Sequence, residues 1–158
     1  MYQKILVAYH GNSTRHSALH ECLRILPANA SAHVHVLVVV DPPPTPVVSE
    51  LGTFVEATYE ADRQIAEDRV RQEAFGACSM LREHGLDSTL HVECGDPVQS
   101  IADLVDTLGI ELVIIGHSRQ KPFALRWWRG ATDAILVEKI RCSLLVAADP
   151  EPHRKRST

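Results

Sequence analysis

No uninterrupted apolar run in these 158 residues approaches the roughly 20 needed to cross a bilayer as a helix, so no membrane span is expected. The amino terminus, MYQKILVAY, has no signal-peptide apolar core followed by a small-residue cleavage site, which makes the cytoplasm the expected compartment. Excess positive charge is missing too. The formal net charge of −4 gives no general attraction to nucleic acid. The four cysteines, Cys22, Cys78, Cys94 and Cys142, form no CxxC pair, which argues against a structural zinc site or a thiol redox motif. They read as small buried apolar side chains. There is no GxSxG elbow and no GxxxxGK(S/T) phosphate loop, and no acidic cluster follows the first apolar run. Serine hydrolases, P-loop nucleotidases and phosphoacceptor domains are thereby excluded.

What is present is a regular alternation. With 45% hydrophobic residues, the chain can bury the core of one domain, expected over residues 1–148, followed by a polar, Pro- and Arg-containing tail over 149–158 expected to be disordered. Short apolar runs at residues 5–9, 34–41, 88–94, 112–115 and 144–147 alternate with stretches of helical period. In the first such stretch Ala18, Leu19, Cys22, Leu23 and Leu26 fall on one face, with Asn12, Ser13 or Thr14 available as the cap. A long charged helix is expected over residues 53–84, closed by Gly85. Another opens at Gly95-Asp96-Pro97 and ends at Gly109. The order βαβαβαβαβ implies an α/β domain with a mostly parallel sheet, because parallel neighbours cannot be joined by tight hairpins.

In such sheets ligands bind beyond the carboxyl ends of the strands, where the strand order reverses. This rule selects Ala8, Tyr9, His10 and Gly11 after the first strand, Val39, Val40 and Asp41 after the second, and Gly95 after the third. After the fourth strand it selects Gly116 and His117, the loop residues Arg119 and Arg129, and the helix start Gly130-Ala131-Thr132, whose backbone N–H groups suit an anion. Lys121, Arg126 and the pair Trp127-Trp128 lie in the same loop. They read either as solvated and packed surface or as a protein contact, since Trp and Arg are enriched at interface hot spots.

The opening ILVAYHGNSTRHSAL, the strand LVVVD before prolines, the turn ECGDPVQSI, the strand LVIIGHS and the ending RGATDAILVEKIRCSLLVA together resemble the universal stress protein family over nearly the whole chain. The resemblance implies an open five-stranded parallel sheet in the order 3-2-1-4-5, Rossmann-like, with the switch point between strands one and four. It also implies a homodimer joined through the last strand, a non-enzymatic stress-response role and, in the nucleotide-binding members, ATP or another adenine nucleotide. In those members the loop reads Gly, two residues, Gly, nine residues, Gly, then a small hydroxyl residue. Here Gly116 matches the first glycine, but Arg119 occupies the second position and the last glycine comes one residue late at Gly130, followed by Ala131 and Thr132. His10 stands where the family commonly has an aspartate.

These departures leave alternatives open. A side chain at Arg119 crowds close backbone cradling of phosphates, although Arg119, Lys121, Arg126 and Arg129 can hold phosphates through their own charges. One alternative is a nucleotide-free homodimer that acts by protein contact through the Arg/Trp loop. Another is a metal-dependent enzyme using His10 and His117, because the Tyr-His-Gly turn resembles that of small tetrapyrrole chelatases and both histidines follow strand ends. His16 and His20, one helical turn apart, read as an exposed helix face, and His33, His35 and His91 read as structural residues on strands.

Overall fold

A computed structural model describes residues 1–10, 16–40, 52–117 and 132–148, with the backbone alone at 9, 10, 52–59, 117, 132–134 and 148. Nine elements alternate: β1 (Lys4–His10), α1 (Ser17–Ile25), β2 (His33–Val40), α2 (Gly52–Glu83), β3 (Asp87–Cys94), α3 (Pro97–Leu108), β4 (Leu112–His117), α4 (Thr132–Lys139) and β5 (Ser143–Ala148). The strands form one sheet in the order β3-β2-β1-β4-β5, and every neighbouring pair is parallel. The expected α/β class and strand order are both observed. The 149–158 segment lies outside the described residues.

Strand alternation divides the core into two layers. On one face Ile5, Val7, Val34, Val36, Val38 and Ile114 pack with Ala18, Leu19 and Cys22 of α1 and with Val70, Ala74, Ala77 and Leu81 of α2. On the other, Leu6, Ala8, Leu37, Val39, Val113 and Ile115 pack with Val98, Ile101 and Val105 of α3 and Leu136 and Ile140 of α4. β1 and β4 are therefore apolar on both sides along their paired length, as parallel strands covered by helices must be, and β2 is so except for His33 and His35 on the α3 side. The edge strand β3 is not: on the α3 side it presents Asp87, Thr89, His91 and Glu93.

Helix ends follow local chemistry in some places and packing in others. Asp96 caps α3 by accepting the Val98 amide at 3.0 Å, with Pro97 in the first turn, and Gly109 closes the same helix. At the end of α2, Leu86 N donates to the Leu81 carbonyl, and Gly85 at φ +78° turns the chain beside Asn29. A Cβ at Gly85 would lie 2.0 Å from Asn29 Oδ1 in a backbone region costly for any L side chain. The expected start of α1 is corrected. The helix begins at Ser17 with His16 in the N-cap position, and His16 makes no side-chain cap hydrogen bond. The good capping residues Asn12, Ser13 and Thr14 lie outside the described residues. The start of α1 is fixed by packing: its first residues lie against β4, where a Cβ on Gly116 would come 2.6 Å from Ser17 Oγ and 3.5 Å from Ala18 N.

The amino end of β1 is held from the next strand. Glu111 accepts the backbone amides of Gln3 and Lys4 through its carboxylate, and its own amide donates to the Lys4 carbonyl at 2.9 Å. These amide bonds hold the Glu111 carboxyl below its usual range. Cys22 and Cys78 are buried as expected, and burial pushes the Cys22 thiol up to about 12, which removes its reactivity. Cys94 departs from the expectation and is exposed at the end of β3.

The contact between Gly116 and Ser17 gives a paired expectation. Gly116→Ala alone should lower stability by about 1 kcal/mol through overpacking against the hydroxyl. In a Ser17→Ala background the same change should be neutral or stabilising, because the hydroxyl is gone and alanine restricts the unfolded chain more than glycine. Urea unfolding of the four members of this cycle measures the coupling.

Candidate functional site

The carboxyl ends of the strands meet at the switch point between β1 and β4. β1 pairs with β2 as far as His10↔Val39, and β4 pairs with β5 as far as His117↔Ala148. The ladder between β1 and β4 covers only Ile5↔Leu112 to Ala8↔Ile115. Among the described residues no pairing joins Tyr9 and His10 to Gly116 and His117. The two central strands therefore continue past their last shared rung, each following its outer neighbour, and part to open a crevice. That crevice is where an open parallel sheet binds its ligand.

The structure places the candidate residues around this opening in unequal ways. Ala8 and Val39 are fully buried in the layer beneath α3 and α4, so only their backbone can reach a ligand. Val40 is half-buried at the end of β2, and its carbonyl accepts the Gly95 amide at 3.2 Å, tying the end of β3 to β2. Tyr9 and His10 end β1, His117 ends β4 and Thr132 opens α4, each as backbone positions. Gly116 sits at the crevice in β4, but the space in front of its missing Cβ belongs to Ser17. Its glycine identity thus answers first to the seating of α1. Gly11, Asp41, Arg119, Arg129, Gly130 and Ala131 lie outside the described residues, as do Lys121, Arg126, Trp127 and Trp128.

The wall beyond Val40 includes residues that sequence reasoning did not select. Cys94 is exposed beside Gly95, and α2, which carries Arg63, packs against β3. Arg63 donates to Glu60 at 2.7 Å and sits 3.9 Å from Glu67, so its charge is already engaged within its own helix. The i,i+3 and i,i+4 spacing was visible in sequence. The packing of α2 against β3 was not. No group of three His, Cys, Asp or Glu side chains is arranged to hold a metal ion among the described residues. None of the helices so described is long and apolar enough to cross a membrane.

Comparison with known proteins gives the same fold and supplies a family. The protein MJ0577 superposes with a TM-score of 0.74 at 19% identity, covering 96% of this chain and 99% of the other. A universal stress protein in complex with cAMP matches at a TM-score of 0.54 and 20% identity, covering 94% of this chain and 98% of its own. A universal stress protein family member from Arabidopsis thaliana, solved with AMP bound, matches at 0.58 and 13% identity, covering 96% and 97%. No curated protein sequence matches the chain. The model of the universal stress protein family matches residues 1–148, all the strands and helices included, and the chain belongs to that family.

Proposed function

We propose that this chain is a non-enzymatic stress-response module of the cytoplasm that binds an adenine nucleotide in the crevice between β1 and β4. The observation that carries the reading is the ladder that ends at Ala8↔Ile115 while both strands run on beside their outer neighbours, which opens the sheet at the switch point. Two proteins of the same fold, one with AMP and one with cAMP, support the choice of ligand. The base lies toward the end of β2 at Val39, Val40 and Asp41, and the phosphates lie toward Gly116, His117 and the start of α4. With Arg119 in place of a loop glycine, phosphate recognition passes from backbone amides to the guanidinium groups of Arg119 and Arg129. His10 and Gly11 complete the turn on the β1 side.

The same reading includes a homodimer formed through β5. Among the described residues β5 is a sheet edge, and on it and on α4 Val146, Ile135 and Val137 are exposed. An exposed apolar edge strand adds readily to a second copy of itself.

Native mass spectrometry with AMP, and with ATP and magnesium, should show one nucleotide per chain that is lost on denaturation. A spectrum of bare protein at millimolar nucleotide would sink the proposal. Arg119→Ala with Arg129→Ala should weaken ATP binding by about tenfold while leaving adenosine binding unchanged, because the lost contacts are charge-assisted bonds to phosphate. Equal loss for both ligands would place the arginines elsewhere. Val146→Asp should convert the dimer to monomer in sedimentation velocity, and an unaltered dimer would move the interface away from β5.

A further inference from the structure

Three histidines that no role has yet absorbed meet on the α3 side of β2 and β3. His33 and His35 are two residues apart on β2 and so share a face, and the register sets His35 opposite Thr89 and Leu37 opposite His91. His35 Nδ1 and His91 Nε2 are 3.1 Å apart in a hydrogen bond between the two rings. His33 Nε2 bonds Thr89 Oγ1 at 2.8 Å, and the His33 and His35 ring centroids are 4.6 Å apart. Among the described residues His35 is the one polar side chain in the buried set, at 9% exposure.

This cluster is the main side-chain link between β3 and β2 on that face. The apolar layer under α3 and α4 includes no residue of β3. β3 is an edge strand that pairs with β2 alone, and its apolar support comes from the opposite face, where α2 packs. A bond between two imidazoles needs one ring nitrogen to donate and the other to accept. Two doubly protonated rings would instead point N–H at N–H across 3.1 Å, with a third imidazole beside them.

We propose that the His33–His35–His91 cluster is an acid-sensitive latch: protonation releases the edge strand β3 from β2 and loosens the Cys94–Gly95 wall of the crevice. The proposal stands apart from the nucleotide reading, since it concerns the protein with no ligand.

The surroundings favour neutral rings in the closed state. Burial lowers the His35 pKa to about 4, with the positive charge that His33, His91 and Lys4 of β1 would add working in the same direction. Burial also lowers that of His91, against a smaller opposing pull from Glu93 on its own strand. Among the described residues no acidic side chain of α3, the helix packed on this face, acts on either ring. A histidine lowered in the closed state and ordinary in the open one stabilises closure fully above its ordinary value of 6.5. That contribution is lost as the pH falls from 6.5 toward 4. At pH 5.5 the His35 difference alone favours the open state by about tenfold relative to pH 7.5.

Hydrogen exchange of the full chain at pH 7.5 and 5.5, corrected for intrinsic amide chemistry, tests the latch. Residues 87–94 should exchange about tenfold faster at the lower pH, while residues 112–117 of the central strand β4 keep their protection. Nitrogen-15 titration of the wild-type imidazoles should show His35 unprotonated to below pH 5. His35→Gln, whose amide can still bond His91 but cannot titrate, should lose most of the acid response in β3. Equal acceleration of β3 and β4, an ordinary titration of His35, or a full acid response in the glutamine variant would each overturn the proposal. The titration is done on unaltered protein, so the test survives a variant that does not fold.

Discussion

The fold turns on a single strand having to satisfy two neighbours that come from opposite directions in the chain. β1 is bonded on one side by β2, which follows it directly, and on the other by β4, which arrives after the chain has built β3 and crossed back. Each return must be a helical crossover, and helices from the two directions land on opposite faces of the sheet. Because sheets twist and each strand follows its outer neighbour, the ends of β1 and β4 run on without pairing to each other above their last common rung, and the Ala8↔Ile115 pair marks the place. The crevice therefore follows from the order of the strands and requires no special residue to open it.

That origin explains why the side chains around the crevice do such different work. Ala8 and Val39 are sealed in the core and give the site only its floor. Gly116 is held small by α1, whose first residue rests on it. A position that reads in sequence as the opening glycine of a phosphate loop is thus committed to packing whether or not a phosphate is present. In the nucleotide reading proposed above, recognition falls to the loops beyond these layers, and Arg119 stands where the resemblance to nucleotide-binding members places a glycine.

Much of the architecture was legible because it depends on periodicity. The unbroken apolar runs Ile5, Leu6, Val7 and Ala8 and Val36 to Val40 mark strands buried on both faces, and the helical period at Ala18, Leu19 and Cys22 locates α1. Strand order was not contained in periodicity and came from the family resemblance. What escaped notice depends on contacts between distant segments. Asn12, Ser13 and Thr14 are better caps than His16, yet α1 is placed by its seat on Gly116, a hundred residues away in sequence. His33 and His35 were visibly on one face, but the arrival of His91 beside them required the β2–β3 register, which no local pattern encodes. The environment of Cys94 was misread because cysteine reads as a buried apolar side chain, whereas β3 lies at the sheet edge and leaves its last residue exposed.

α2 runs from Gly52 to Glu83, about 48 Å at 1.5 Å per residue, and its buried side chains among those described begin only at Val70. Over residues 60–69 it is held by its own turns and by pairs such as Arg63 with Glu60 and Glu67. In that stretch no buried side chain ties the helix to the sheet, so a substitution that keeps it helical and charged leaves the core undisturbed. From there onward Val70, Ala74, Ala77 and Leu81 lock one face of the helix into the core, while Arg71, Gln72, Glu73 and Phe75 stay on its exposed side. One continuous helix thus answers to two different constraints, and the boundary between them falls at Val70.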